Sequence, residues 1–276
     1  MLDIKNLSFS YSRKQSLLRD FSMQLESGTV TGLLGRNGAG KSTLIYLICG
    51  LLRPQSGTIR FDNINTAERT PALLSDIFLV PEEFKLPSVT LEKYVEANAQ
   101  FYPRFDRALL EKLLDIFELN SSIHLAKLSM GQKKKAFIAF ALACRTSLLI
   151  LDEPTNGLDI SGKRAFRRVV SESMTDETTI IISTHQVYDI DKILDHVVIM
   201  DRSGVLLDES IAEIQSRLSF NFTTDRQRAE KALIALDVPG GYNIAETLTD
   251  DNDETEVNLE TLFELITSTH SKTLKL

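Results

Sequence analysis

The sequence predicts an α/β fold with a mixed sheet core, an antiparallel β subdomain, an α-helical insert and a small C-terminal α+β extension. Three observations carry that expectation. A glycine-rich loop, Gly35-Arg36-Asn37-Gly38-Ala39-Gly40-Lys41-Ser42-Thr43, stands between an apolar run and a stretch of helical period. Leu148-Leu149-Ile150-Leu151 and Ile180-Ile181-Ile182 are continuous apolar runs, the character of strands buried on both faces of a parallel sheet. Between the loop and the first of these runs, residues 88 to 144 turn to helical period. The 276 residues, 43% hydrophobic and 25% charged, suffice for one large α/β domain with an appendage.

In order along the chain, residues 2 to 32 read as antiparallel strands. Leu2 and Ile4, then Leu7, Phe9 and Tyr11, alternate on one face, as do Phe21, Met23 and Leu25. Ser27-Gly28 marks the turn into Val30-Thr31-Gly32-Leu33-Leu34, a buried strand that feeds the glycine-rich loop. Leu44, Leu47, Ile48 and Leu51 then recur at helical spacing. After the break at Arg53-Pro54-Gln55-Ser56-Gly57, Thr58-Ile59-Arg60-Phe61 and Ile77-Phe78-Leu79-Val80 read as strands. The helical insert carries Leu91, Tyr94, Val95 and Asn98 on one helix and Leu110, Leu113, Leu114 and Phe117 on the next. Phe137, Phe140, Ala141 and Cys144 mark its third helix.

A helix with Phe166, Val169 and Val170 links the two buried runs, and a hairpin of residues 197–200 and 205–207 closes the core. From residue 216 the composition changes. Two amphipathic helices are expected there, with Ala229, Ala232, Leu233 and Leu236 on one and Leu259, Leu262, Phe263 and Ile266 on the other. The acidic run from Asp250 to Glu256 between them reads as a solvated loop.

Composition excludes some functions. No run approaches the ~18 to 20 apolar residues of a membrane span, and Met1 to Lys5 lacks the basic start of a signal peptide. Any service to a membrane is expected from its cytoplasmic side, through a partner. A net charge of −7 argues against a nucleic-acid binder. Cys49 and Cys144 fall among apolar neighbours in helices and read as small buried hydrophobes.

The glycine-rich loop fits G-x-x-x-x-G-K-[ST], the pattern that wraps the phosphates of a nucleoside triphosphate. Its glycines let successive N–H groups converge on one anion. Lys41 adds positive charge for the β- and γ-phosphates, and the Ser42 hydroxyl can reach Mg²⁺. Asp152-Glu153 ends a buried apolar strand, where an unpaired carboxylate is costly. Asp152 is therefore expected beside the metal of Mg-ATP, with Glu153 one step nearer the nucleotide, holding the attacking water. In Leu128-Ser129-Met130-Gly131-Gln132, Ser129 and Gln132 form a capping box. Residues alone leave two readings there: a well-capped helix, or an anion-binding helix start at Ser129 and Gly131. The lysines at 133–135 read as a solvated face.

Taken together, this ordered set resembles the nucleotide-binding subunit of an ATP-binding cassette (ABC) transporter, over roughly residues 2 to 210. Residues 35–43 resemble its Walker A motif, 148–153 its Walker B with the catalytic Glu153, and 128–132 its LSGGQ signature. Gly157-Leu158-Asp159 is similar to the D-loop, and His185 in Ser183-Thr184-His185 to the switch histidine. Tyr11 stands where the family places an aromatic ring on adenine. The resemblance implies an ABC ATPase domain at 1–215, with its helical subdomain near 88–144, and an extension at 216–276.

It further implies a head-to-tail homodimer with two ATP molecules buried between Walker A of one copy and Ser129 and Gly131 of the other, with Asp159 acting across the interface. His185 would contact the γ-phosphate and the catalytic water. The implied activity is ATP hydrolysis driving a separate integral membrane permease. A soluble ABC-type ATPase serving as an assembly factor is the alternative. Two positions depart from the family pattern. Met130 replaces the first signature glycine, and Glu82 stands where a glutamine senses Mg²⁺ and the permease. Val80-Pro81-Glu82-Glu83 resembles the ATPases of ABC-2-type exporters.

Overall fold

The computed structural model describes residues 1–12, 17–202, 204–249 and 254–268. The chain opens with β1 (Leu2–Phe9), β2 (Leu18–Leu25) and β3 (Val30–Leu34), followed by α1 (Lys41–Ile48), β4 (Ser56–Phe61), β5 (Ile64–Asn65), α2 (Pro71–Leu74) and β6 (Ile77–Val80). The helical insert consists of α3 (Leu91–Asn98), α4 (Arg107–Ile116) and α5 (Met130–Ala143). The core resumes with β7 (Leu148–Asp152), α6 (Ile160–Ser173), β8 (Thr179–Thr184), β9 (His196–Asp201) and β10 (Gly204–Ser210). Then come α7 (Ile211–Gln215), β11 (Leu218–Thr223), α8 (Arg226–Lys231), β12 (Ile234–Val238), β13 (Gly241–Thr247) and α9 (Leu259–Thr267).

The central sheet runs β10-β9-β3-β8-β7-β6. Its inner strands pair in parallel and β10 returns antiparallel on β9, so the sheet is mixed. Strand alternation divides the apolar residues between two cores. Leu148, Ile150, Ile181, Val198 and Met200 face α1 and the antiparallel β2-β1-β4-β5 sheet. Leu149, Leu151, Ile180, Ile182, Val197 and Ile199 face the helical insert and the extension. Both faces are covered, which is why these runs are continuously apolar.

Three expectations change. Tyr11 does not continue the buried face of Leu7 and Phe9: it lies beyond β1, and 66% of it is exposed. The first C-terminal helix stops at Lys231, and Ile234 to Val238 form β12, hydrogen-bonded to β13. There the alternation of Ile234, Leu236 and Val238 ahead of a Pro239-Gly240 turn selects a hairpin. The extension is thus a three-stranded sheet, β11-β13-β12, with α8 and α9. Lastly, the lysines at 133–135 are not a solvated face, since Lys134 is buried. Ser203 and the start of the acidic run, 250–253, lie outside the described residues.

Leu218, Phe220, Ala245, Leu259, Leu262 and Leu265 belong to the same hydrophobic cluster as the central sheet and the insert. Removing the buried Leu262 side chain by Leu262→Ala is expected to cost about 2–5 kcal/mol. Because the cluster is continuous, calorimetry should show the main transition shifted downward. A separate low-temperature transition, with the main one unmoved, would contradict this.

Candidate functional site

The strand order puts four loops side by side. β3 leads into the glycine-rich loop, β8 into His185, β7 into Glu153 and β6 into Glu82, and these strands run parallel as neighbours. Their C-terminal ends therefore share one edge of the sheet, where ligands of such folds bind.

In the glycine-rich loop, Gly40 caps α1 at φ 105° and Gly38 lies at φ 81°. A Cβ on Gly35 would come within 2.6 Å of the Met200 carbonyl oxygen, so the strand-to-loop turn admits only glycine. Among the described residues no side chain caps α1, and its first turn holds no acidic residue. Its N–H groups are left for an anion, reinforced by the helix dipole. Lys41 Nζ donates to the Gly35 carbonyl (2.7 Å) and lies 3.9 Å from Glu153 Oε1. Burial draws the Lys41 ammonium below its ordinary value, while Glu153, Asp152 and Glu82 pull the other way. The Tyr11 hydroxyl is 3.2 Å from Thr43 Oγ1, and the ring stands edge-on to Phe9. Asn37 is exposed and Ala39 buried.

At the end of β7 the carboxylates are held tightly. Asp152 is buried, and Ser183 Oγ, its neighbour on β8, donates to Asp152 Oδ1. The Glu153 N–H donates to the Ser183 carbonyl (3.0 Å) and to Ser183 Oγ (3.2 Å). Glu153 itself sits at φ 46°, a left-handed backbone that is strained for this residue. With its Nδ1 protonated, His185 donates to Glu153 Oε1 at 2.8 Å. The other oxygen, Oε2, is buried with no hydrogen-bond partner among the described residues. A buried acceptor left unmade is costly. Glu82 is exposed and accepts from Asn156 Nδ2 (3.0 Å).

The capping box of α5 is present: Ser129 Oγ accepts from the Gln132 N–H and the Gln132 side chain from the Ser129 N–H. Gly131 packs on the turn after β7, where an added Cβ would meet the Gly157 carbonyl at 3.0 Å. Asp159 caps α6 by accepting from the Gly162 N–H (2.7 Å), a bond that holds its carboxyl below the usual range. Asp159 therefore does have a helix-start role, and Lys135 Nζ lies 4.0 Å from it.

Residue reading missed three participants: Ser183 as the clamp on Asp152, Asn156, and Lys134. Lys134 Nζ donates to the carbonyls of Glu153 (2.9 Å) and Asn156 (3.0 Å). The signal for Lys134 was present, since it shares the i, i+4, i+7 stripe of the buried Ile138 and Ala141.

Asp152, Glu153 and Glu82 give the edge three carboxylates, all of which act on Lys41. A polyphosphate brought to so acidic an edge needs a divalent cation between the two sets of oxygens. Among the described residues no His, Cys, Asp or Glu group forms a metal cage by itself. The carboxylates of Asp152 and Glu82 and the hydroxyl of Ser42 are oxygen donors of the kind that suits a Mg²⁺ arriving on a nucleotide.

Comparison with known proteins agrees with this geometry. Residues 18–156 match the family model described as ABC transporter. The ABC transporter ATP-binding protein YtrB of Bacillus subtilis is 28% identical over 249 residues, spanning 88% of this chain and 85% of YtrB. The energy-coupling factor transporter ATP-binding protein EcfA2 of Clostridium perfringens is 33% identical over 234 residues, spanning 77% of this chain and 81% of that one. A solved structure described as the ATP binding subunit of an ABC transporter superposes with a TM-score of 0.69. It is 29% identical and covers 78% of this chain and 92% of its own. With its phosphate loop, its paired carboxylates and its strand order in place, the chain belongs to the ABC transporter family, as an ATP-binding subunit that hydrolyses ATP.

Proposed function

We propose that this ATPase works as a head-to-tail homodimer that energises a separate integral membrane permease, in the direction of export. The observation that carries the dimer is the exposed rim around the start of α5. Met130 is 59% exposed and Ile160 85%, beside Ser129, Gly131 and Asp159. A second copy laying its phosphate loop there would cover both apolar side chains and give the α5 start an anion to bind. The export direction rests on Val80 to Glu83, and the bilayer path is assigned to the permease. Among the described residues, no helix is long and apolar enough to cross a membrane.

Each residue then has a task that follows from its surroundings. The N–H groups at the start of α1 hold the phosphates, in a loop shaped by Gly35, Gly38 and Gly40. Lys41, poorly solvated in the chain alone, gains a charged partner when phosphate arrives. Asn37, Ala39 and Thr43 complete the cradle, and the exposed ring of Tyr11 is free to stack on adenine. Ser42, Asp152 and Glu82 would hold Mg²⁺, which when bound neutralises phosphate charge and polarises the γ-phosphoryl group. Glu153 uses its unpartnered Oε2 to orient and deprotonate water for in-line attack, while His185 holds Oε1 and so decides which oxygen faces the water. Glu82, a carboxylate, accepts from Asn156 where a glutamine amide could also donate, which alters the coupling at that loop.

Lys41→Ala is expected to weaken Mg-ATP binding about tenfold or more, the fold-change for a lost charge-assisted contact; unchanged affinity by titration calorimetry would count against the loop reading. Glu153→Gln should lower hydrolysis by a factor of roughly 10² to 10⁴ yet keep nucleotide binding, and it should accumulate as an ATP-bound dimer in light scattering. Protomers alone under every nucleotide condition would refute the shared site. Purification from membranes should bring down an integral membrane protein in fixed proportion, and its absence would favour the soluble assembly-factor alternative.

A further inference from the structure

Lys134 is placed where packing alone does not call for a lysine. The residue is 3% exposed on the buried stripe of α5. An ammonium there carries a desolvation cost that a methionine of similar volume would avoid. Burial draws Lys134 below its ordinary value, against the pull of Glu82, Glu153 and Asp152.

The bonds of its ammonium show what the charge does. Nζ donates to the carbonyls of Glu153 and Asn156, the two ends of the turn that follows β7. Ser183 accepts the Glu153 N–H on one side of that residue, and Lys134 takes its carbonyl on the other. Both peptide units around a backbone at φ 46° are thereby fixed. Asn156 in turn donates its amide to Glu82. Lys134 also lies one turn beyond Gly131, on the helix whose start packs against Gly157 of this same turn.

We propose that Lys134 is the positioning residue for Glu153: it holds the strained Glu153 backbone so that Oε2 faces the γ-phosphoryl group. It thereby joins the helix start at Ser129, which serves the partner's nucleotide, to the carboxylate that serves the chain's own. This rests on Glu153 as the base, the reading proposed above.

The test uses the full-length chain with Mg-ATP and reads kcat, KM and thermal stability together. Lys134→Met removes both donors at nearly constant volume, and Lys134→Arg restores charge and donors. A positioning role predicts that Lys134→Met lowers kcat about tenfold or more while KM stays within about threefold, and that Lys134→Arg returns kcat to within about threefold of wild type. The proposal is overturned if Lys134→Met keeps kcat within about threefold, if KM carries the loss instead, or if Lys134→Arg is as slow as Lys134→Met. Should Lys134→Met not fold, Lys134→Gln is read in its place against the same thresholds. If neither folds while Lys134→Arg does, the lysine is a fold clamp and the proposal is wrong. Glu153→Gln, assayed alongside, separates the two levels: a Glu153→Gln enzyme at wild-type rate rejects the base itself, whereas an inactive one beside a fast Lys134→Met rejects only the clamp.

Discussion

Two buried ammonium groups facing three carboxylates at the end of an apolar sheet set the terms for the rest of this structure. Lys41 and Lys134 are both desolvated, and both feel Asp152, Glu153 and Glu82. Neither lysine forms a close ion pair with those acids, because Lys41 bonds to the Gly35 carbonyl and Lys134 to the carbonyls of Glu153 and Asn156. The charges are held apart by backbone dipoles, which is the condition for admitting a further ligand. Had Lys41 closed a bidentate bridge on Glu153, a phosphate would first have to break it. The 3.9 Å separation leaves that bond unmade.

Holding charges in place at such an edge requires a rigid floor, and the two-sided sheet supplies it. β7 and β8 are buried on both faces, with alternate side chains committed to opposite cores. A one-residue slip in their pairing would exchange those faces. It would also separate Asp152 from Ser183, which are direct partners in the β7–β8 register. The packing that stabilises the sheet and the geometry that prepares the carboxylate are thus the same constraint. The strain at Glu153 is tolerated because hydrogen bonds from both neighbouring elements determine its backbone.

Much of this was legible in the sequence, for a physical reason. A phosphate loop needs glycines at set intervals, a doubly covered strand must be continuously apolar, and a capping box needs Ser and Gln three residues apart. Each signal lies within a few residues, so Gly35 to Thr43, Leu148 to Glu153 and Ser129 to Gln132 could be read directly. What remained hidden depends on contacts between distant segments. Lys134 looked solvated because it stands in a run of three lysines, although its helical phase places it with Ile138 and Ala141. Ser183 belonged to a recognisable stretch, but its hold on Asp152 needs the strand pairing to be seen. The misreading of β12 had a different source: Ala229, Ala232, Leu233 and Leu236 satisfy a helical period by coincidence, and the hairpin with β13 outweighed that local preference.

The extension shows why a change in composition is a poor guide to mechanical separation. Residue 216 begins a stretch of different character, yet the hydrophobic cluster crosses it without a break, from the central sheet to Leu218, Phe220 and the inner face of α9. Helix α9 also reaches the nucleotide edge. A cavity of about 430 Å³ is walled on one side by Gly35, Arg36 and His185 and on the other by Glu260, Phe263 and Glu264. Arg36, the second residue of the phosphate loop, lies 3.7 Å from Glu264 across it. An exposed pair of this kind contributes little stability. What fixes α9 beside His185 is the burial of Leu259, Leu262, Leu265 and Ile266. The extension is therefore held by apolar packing while presenting polar side chains to the phosphate loop, so the wall beside His185 is built from both parts of the chain.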